Sequence, residues 1–225
     1  MGEVGVVTDA WAWLTTGAHW TGEEGVGARL AEHVYVSVLA LLIAGALALP
    51  LGLWLGHLGR GGALAVNVSN VGRAVPVFAV LALFMVSPLR NAGYVPTVTA
   101  LVLFAIPPLL TNAYVGVREV DRAAVRAARG MGMTGGQVFR RVELPLAAPV
   151  VMTGVRSAAV QVVATATIAA MVGQGGLGRI ITAGFALYDT AQVVAGAVLV
   201  ALLALVVEGV LVALDRLLVP RPPRT

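Results

Sequence analysis

The sequence lacks two residue types altogether, and both absences limit what the protein can do. It has no cysteine, which excludes disulfide bonds, thiolate catalysis and cysteine-ligated zinc. It also has no lysine, so all 15 basic residues are arginine, and a Walker-type phosphate loop, which requires a lysine, is excluded. Charged residues make up only 12% of the chain, whereas 59% of its residues are hydrophobic. This composition indicates a lipid bilayer rather than water as the solvent.

Long apolar runs predict an all-α integral membrane protein with about five transmembrane helices. The candidate spans are 34–57, 66–87, 94–117, 146–172 and 190–214. Each is close to the roughly 20 residues that a helix needs to cross the hydrocarbon. We therefore divide the chain into an external segment 1–33, a membrane domain 34–214 and a tail 215–225. Prolines within the spans, at Pro50, Pro76 and Pro107-Pro108, are expected to kink their helices.

Arginines are distributed unevenly between the two sides of this five-span arrangement. Only Arg29, Arg90 and Arg179 fall on the side of the amino terminus. The opposite side has Arg60, Arg73, Arg118, Arg122, Arg126, Arg129, Arg140, Arg141, Arg216, Arg221 and Arg224. The positive-inside rule then predicts an external amino terminus and a cytoplasmic tail. Because the arginines sit at the ends of apolar runs and form no stripe with interleaved aromatic residues, we expect no nucleic-acid partner.

Two glycine-rich stretches, 130–135 and 173–178, match the pattern of dinucleotide-binding loops. That pattern requires a preceding strand and a following helix within a βαβ unit, whereas here the neighbours are spans and a short polar loop. The histidines also do not converge, since His19 and His33 precede the first span and His57 ends it. We therefore expect no bound cofactor, no metal site and no catalytic residue on this chain.

The polar stretch between the third and fourth spans, about residues 118–145, is the most informative part of the sequence. Asp121 suits the N-cap of a helix, and Gly130 suits the left-handed residue that ends it. Thr134 and Gln137 have the spacing of a capping box, which starts a second helix. A small apolar face at helical spacing consists of Ala124, Ala127, Ala128 and Met131. The residues alone leave open whether it docks into a protein groove or lies on anionic lipid.

Polar side chains in or near the spans are candidates for a path across the membrane. They are Asn112, Tyr114, Gln161, Thr165 and Thr167. Such groups face a bundle interior or a cavity more often than lipid, although for each of them we favour a hydrogen bond between helices over a place in the path. Arg156 and Glu208 are the ionisable residues deepest in the spans. If they pair they are structural, whereas access to water would make them part of a gate.

The polar loop resembles the cytoplasmic coupling loop of ABC importer permeases, because Ala-Ala-Arg-Gly is followed at that family's spacing by Leu-Pro. Further stretches extend the likeness to nearly the whole chain. They are Pro50-Leu51-Gly52-Leu53 with Gly56-His57, Gly72-Arg73-Ala74-Val75-Pro76, Thr111-Asn112-Ala113-Tyr114, Glu143-Leu144-Pro145-Leu146-Ala147, and Gly173 with Gly175-Gly176-Leu177-Gly178. In this order they resemble the osmoprotectant or quaternary-amine branch, the permeases for glycine betaine, carnitine and choline.

The resemblance implies a type I importer permease in a bacterial plasma membrane that performs no bond chemistry itself. The expected partners are ATP-binding cassette ATPase subunits, which bind ATP and magnesium, a second permease subunit and an external solute-binding protein. The residues that it assigns to ATPase coupling are Arg126, Ala127, Ala128, Arg129, Gly130, Met131, Gly132, Met133, Thr134 and Pro145. A permease for another small solute, such as an amino acid, and a stand-alone multi-span channel are the alternatives.

One departure from the family pattern concerns the partner permease. The family loop usually has glutamate directly before the Ala-Ala pair, and this chain has Arg126 there. The reversed charge would remove any ion pair that the glutamate makes with the ATPase. We therefore expect a heterodimer with a second permease, one that retains the glutamate, rather than a homodimer.

Overall fold

The computed structural model describes residues 3–172 and 175–218, and within these ranges the chain is helical and contains no strand. The helices are α1 (Glu3–Thr15), α2 (Val26–Leu58), α3 (Gly62–Ala74), α4 (Val77–Val86), α5 (Val95–Arg118), α6 (Arg122–Gly130), α7 (Gly135–Val138), α8 (Leu144–Ala169), α9 (Gly178–Leu187) and α10 (Thr190–Leu218). The all-α prediction is confirmed. Gly173 of the second glycine-rich stretch, and Arg221 and Arg224 of the tail, lie outside the described residues, as does the side chain of Arg73.

In the described ranges, four helices are long and apolar enough to cross a membrane. They are Val26–Leu58, Val95–Arg118, Thr190–Leu217 and a continuous helix Gly135–Val172 that contains α7 and α8. These helices account for four of the five predicted spans. The first begins earlier than predicted, at Val26, so the boundary that we placed after residue 33 falls inside α2.

The second predicted span, 66–87, is not one helix. It is divided into α3, which ends at Ala74, and α4, which begins at Val77. Between them Pro76 has an extended conformation, with φ −69° and ψ 122°. Proline has no N–H to donate, and it disfavours the helical region for the residue before it, here Val75. The expected kink at Pro76 is therefore a complete break.

The chain divides into two compact units, and each has its own packing. Unit 1 contains Met1–Leu41, Val75–Val102 and Val160–Val207. Its described part has one cluster formed by Leu81, Ala100 and Ala169 and another formed by Val26, Leu177 and Ile180. Unit 2 contains Leu42–Ala74, Leu103–Ala159 and Glu208–Thr225, and its core consists of Val117, Val120, Val125, Ala128, Val138 and Ala147.

Glycines bring α2 close to α5 in unit 2. A Cβ atom at Gly52 would lie 2.7 Å from the Cβ of Ala113, and one at Gly56 would lie 2.9 Å from the Tyr114 carbonyl oxygen. Gly52 and Gly56 thus form a small-xxx-small pair, the pattern that lets membrane helices approach backbone to backbone. This packing fixes the end of α2 beside the end of α5, where the polar loop begins.

Candidate functional site

The polar loop begins with α6, whose first turn is capped as the sequence predicts. The Asp121 carboxylate accepts a hydrogen bond from the Ala123 N–H at 2.8 Å, which satisfies a donor that the helix leaves free. Arg122 donates to the Arg118 carbonyl at 2.8 Å, so the loop is also tied back to the last turn of α5. The start of α6 is therefore fixed relative to the end of a spanning helix.

The left-handed residue that follows α6 is Gly132, whereas we had predicted Gly130. Gly132 has a φ of +82°, whereas Gly130 remains in the helix. The Gly132 N–H donates to the Arg129 carbonyl at 3.0 Å, and the Met133 N–H donates to the Ala128 carbonyl at 3.2 Å. These two bonds define a Schellman motif, in which the left-handed position strongly favours glycine.

The second helix of the loop starts at Thr134 and leads directly into the next span. The Gln137 side-chain oxygen accepts from the Thr134 N–H at 2.8 Å, and the predicted capping box is confirmed. Residues Phe139–Glu143 then form a π turn before α8 begins. Pro145 explains this turn, because its ring requires space at the Arg141 carbonyl, four residues earlier. The loop is thus joined to α8 by an unbroken helix.

α6 has three faces, and only two of them are available to a partner. Val125 and Ala128 are buried in the unit 2 core. We had predicted that Ala128 belongs to the outer apolar face, and this prediction is wrong. The sequence prediction overlooked Val125, whose larger side chain determines the inner face. The remaining loop residues assigned to coupling, apart from the half-buried Met133, are exposed, and they are Arg126, Ala127, Arg129, Gly130, Met131, Gly132, Thr134 and Pro145.

The exposed surface of α6 combines a smooth stripe with a basic one. Ala123, Ala127 and Gly130 follow one another at the spacing of a single helix face and have no side chain beyond Cβ. Arg122, Arg126 and Arg129 follow the same spacing beside them. Met131 extends the smooth stripe and is 72% exposed. Another protein can approach the backbone of α6 closely along the smooth stripe, while the basic stripe supplies positive charge.

A contact that the sequence analysis missed joins the loop to the end of α2. His57, in the last turn of α2, donates from Nδ1 to the Glu143 carboxylate, and Glu143 is buried within the π turn. Because an ionised carboxylate only accepts hydrogen bonds, this geometry assigns a proton to Nδ1. The His57 ring also packs on Phe139, with centroids 5.2 Å apart. His57 and Glu143 were both in stretches that carried the resemblance, but nothing in their sequence spacing indicated that they meet.

In unit 2, two of the predicted path residues lie between packed helices. Asn112 donates to the Pro108 carbonyl at 2.8 Å, and its Cβ would be 2.5 Å from a Cβ at Gly154 of α8. The Tyr114 hydroxyl would be 2.8 Å from a Cβ at Gly62, at the start of α3. Both side chains have a packing role, and their place in a path stays a prediction. Thr153 and Ser157, which we did not predict, are exposed on one side of α8.

In unit 1, the other three predicted path residues have different surroundings. Gln161 is exposed, and Thr165 is buried. The Thr167 hydroxyl is also buried, and within the described residues it has no hydrogen-bond partner. A buried hydroxyl without a partner is costly, so this position favours contact with water or another polar group. The place of these three residues in a path also stays a prediction.

Arg156 and Glu208 pair with each other. The Arg156 Nε donates to a Glu208 carboxylate oxygen at 3.0 Å, and its Nη2 donates to the same oxygen. The pair joins α8 to α10 within unit 2. Mutual neutralisation is the arrangement expected of charges in a spanning segment, so the structural alternative that we left open is supported by the geometry.

The second glycine-rich stretch lies against the first turns of α2 in unit 1. Glu32 accepts from the Gly176 N–H at 2.8 Å, and His33 Nδ1 accepts from the Leu177 N–H at 3.2 Å. The other ring nitrogen of His33 donates to the Val163 carbonyl at 2.9 Å. A Cβ at Gly175 would lie 2.4 Å from the Glu32 carboxylate, so a larger residue there would displace that carboxylate from its hydrogen bond to Gly176. These glycines therefore serve packing and hydrogen bonding.

Unit 1 also has a polar cavity of about 430 Å³ between the amino-terminal segment and α9. Arg29 lies at its wall and is held between Glu24 and Glu32, at 3.0 Å from each carboxylate. Arg179, in the first turn of α9, also lines the cavity together with Trp13. Because Arg29 is neutralised by two carboxylates, the cavity as a whole is not strongly basic.

The chain matches the family model described as "Binding-protein-dependent transport system inner membrane component" over residues 48–220. It is 38% identical over 189 residues to the choline transport system permease protein OpuBB of Bacillus subtilis (strain 168), covering 84% of this chain and 86% of that protein. It is 38% identical over 193 residues to the carnitine transport permease protein OpuCB of Listeria monocytogenes, covering 86% and 88%.

Solved structures show a similar fold at lower sequence identity. The MetNI methionine ABC transporter in inward-facing conformation has a TM-score of 0.74 at 20% identity, over 98% of this chain and 100% of that chain. An amino acid ABC transporter with histidines has a TM-score of 0.68 at 18% identity, over 97% and 99%. At these identities the likeness concerns the fold alone, and it confirms the fold that the resemblance implied.

Proposed function

Because the chain belongs to the family of binding-protein-dependent transport system inner membrane components, we propose that it is the permease of an importer for osmoprotectant quaternary amines such as glycine betaine, choline or carnitine. The observation that carries this proposal is the identity with choline and carnitine permeases over more than four fifths of both chains. The two solved structures of similar fold are a methionine transporter and an amino acid transporter. Because their sequence identity to this chain is below 25%, they support the fold and not the solute.

The permease works as a mechanical part. An external binding protein delivers the solute, and ATPase subunits that bind ATP and magnesium receive α6 and its exposed stripes. Closure of the ATPases moves α6, and the continuous helix from Gly135 to Val172 passes this movement to the membrane as a nearly rigid body. The path candidates Gln161, Thr165 and Thr167, with Asn112 and Tyr114, remain part of this proposal.

The proposed orientation places the loop and the carboxyl terminus in the cytoplasm of a bacterial cell. If α3 and α4 together count as one crossing, the chain crosses the membrane five times and its ends lie on opposite sides. Arg118, Arg122, Arg126, Arg129 and Arg141 are exposed at the loop end, which the positive-inside rule assigns to the cytoplasm. The test is a reporter that functions only in the periplasm, fused to residue 225. Activity of this reporter would contradict the proposed orientation.

The proposed partner within the membrane is a second, different permease. Arg126 is exposed on α6 and stands where the family has glutamate, so an ATPase groove built for that glutamate would face the wrong charge. A partner that retains the glutamate would supply the missing ion pair in the other groove. Solute import by a homodimer of this chain with its ATPase would refute the proposed heterodimer, but it would leave the proposed importer function standing.

Purification of the tagged chain from its own membrane tests the function first. We expect an ATPase and a second permease to co-purify, and the reconstituted complex with its binding protein to take up radiolabelled choline or glycine betaine when ATP is present. Methionine serves as the control solute. Uptake of methionine alone would favour the amino-acid importer, and recovery of the chain without any ATPase would favour a channel.

A further inference from the structure

One side chain of α2 contacts two residues at the start of the helix that follows Thr134 and lies near a third. His57 Nε2 would lie 3.9 Å from a Cβ at Gly135, the His57 ring packs on Phe139, and Nδ1 donates to Glu143. These three positions are four residues apart, and such residues lie on the same side of a helix. The contact therefore extends from the first turn of α7 to the last residue of the π turn.

The contact is costly to break because Glu143 is buried. Its side chain is 3% exposed, and within the described part of the chain His57 provides its hydrogen bond. A buried carboxylate that loses its donor is left with neither water nor a partner, which is strongly unfavourable. The end of α2 and the π turn are therefore held together while the loop moves, rather than separating and meeting again.

We propose that the hydrogen bond between His57 and Glu143 makes α2 move together with the coupling loop, so that both are positioning residues for transport. This inference rests on the proposed function, because only an ATPase bound to α6 would move the loop. It adds a second route for the movement. Along the chain the loop is continuous with α8, and through His57 it also moves a helix that is distant in sequence.

Two substitutions separate the hydrogen bond from the packing of the ring. In His57→Asn, the amide nitrogen occupies the place of Nδ1 and still donates to Glu143, but the ring is lost. In His57→Phe, the ring still packs on Phe139, but no donor remains. Leu58→Ala is the matched control, because Leu58 follows His57 in the last turn of α2 and is exposed.

The measurement is solute uptake per ATP hydrolysed in proteoliposomes that contain the complete transporter and its binding protein. Radiolabelled choline and glycine betaine are the solutes, and phosphate release reports hydrolysis. We expect His57→Phe to lower the ratio of uptake to hydrolysis about tenfold, the size of effect seen for residues that couple distant sites. His57→Asn should keep the ratio within about threefold of the unmodified protein, and Leu58→Ala should leave it unchanged.

ATPase binding and folding are measured on the same samples. A role in transmission leaves the affinity of the ATPase for the permease unchanged in His57→Phe, whereas damage to the loop itself would weaken it. Size-exclusion profiles report whether each variant is folded. If His57→Phe does not fold, Glu143→Gln replaces it, because the amide keeps the shape of the side chain and weakens the bond by removing the charge. We expect Glu143→Gln to lower the ratio less than tenfold but more than His57→Asn.

Two results would overturn the inference while the proposed function survives. One is a ratio in His57→Phe and Glu143→Gln equal to that of the unmodified transporter. The other is a loss in His57→Asn as large as in His57→Phe, which would show that keeping the hydrogen-bond donor does not keep the coupling. A complex that shows neither ATPase association nor ATP-dependent uptake before any substitution would instead refute the proposed function, and this inference with it.

Discussion

The two ends of α2 are both held by a glutamate and a histidine, but they are held in different ways. Near the start, in unit 1, Glu32 and His33 accept hydrogen bonds from backbone N–H groups of Gly176 and Leu177. Near the end, in unit 2, the His57 side chain binds the Glu143 side chain. The first contact pairs two side chains with backbone N–H groups, which only a proline substitution removes, whereas the second depends entirely on two side chains.

The difference extends to the surroundings. His33 is fully buried, and Gly176 beside it has a φ of +94°, with space for a Cβ only 3.1 Å from the His33 Nδ1. His57 is 22% exposed at its side chain, and in the loop that it touches a Cβ at Gly130, Gly132 or Gly136 would meet nothing within 4 Å. The first contact has the properties of a fixed anchor, and the second has those of a contact between parts that move. Three substitutions test this distinction, and they follow in order of their expected effect on stability.

Gly178→Ala should have the largest effect. A Cβ there would lie 2.1 Å from the Thr167 carbonyl oxygen and 2.8 Å from the Ala170 Cβ, so the backbone itself must shift. We expect a loss of about 3 kcal/mol, the upper end for overpacking, seen as a lower Tm in detergent by tryptophan fluorescence. Gly136→Ala is the control, because a Cβ at Gly136 would meet nothing within 4 Å. Equal Tm values for the two variants would contradict the fixed anchor.

Gly132→Ala should have an intermediate effect that is local to the loop. Its φ of +82° costs a residue with a Cβ about 1–2 kcal/mol, but no atom is close enough to clash. The expected change is a small decrease in Tm, measured beside Gly130→Ala. Because Gly130 is helical, that control should be neutral or stabilise by up to about 1 kcal/mol. The reverse order would show that Gly130, and not Gly132, has the left-handed conformation.

Gly130→Trp should have the smallest effect on stability and still abolish transport. A side chain there points into open space within the described residues, so the fold tolerates it. The large ring would nevertheless prevent close approach of the ATPase to the smooth stripe of α6. We expect ATP hydrolysis to continue without uptake in proteoliposomes, whereas Gly130→Ala should transport normally. Unchanged uptake in the tryptophan variant would refute the coupling surface.

The sequence predicted the long spans and the caps of the loop because both depend on local chemistry. Hydropathy marks four of the spans, and Asp121 and Thr134 cap helices through bonds within three residues. It was wrong about where two helices begin or end. The choice between Gly130 and Gly132 depends on which carbonyls close the Schellman motif, and α2 begins early because Arg29 and Glu32 in its first turns find partners that hydropathy ignores.

Contacts between distant residues were the other part that the sequence did not reveal. Glu143 follows an arginine pair and has the appearance of a surface residue, yet it is buried beside a histidine 86 positions away. The predicted path residues were chosen by polarity alone, and Asn112 shows the weakness of that criterion, because its amide bonds to its own helix. Polarity identifies groups that need a partner, but only the fold shows whether the partner is a helix or water.

The π turn at Phe139–Glu143 has a geometric consequence for the loop. A π turn contains one residue more than an α turn, and each residue of an α-helix corresponds to a rotation of about 100° and a rise of about 1.5 Å. Deleting one residue from this turn would restore a regular helix and swing α7 to another side of the α8 axis. The number of residues in the turn, independently of their chemistry, thus sets the direction in which the loop projects from the α8 axis.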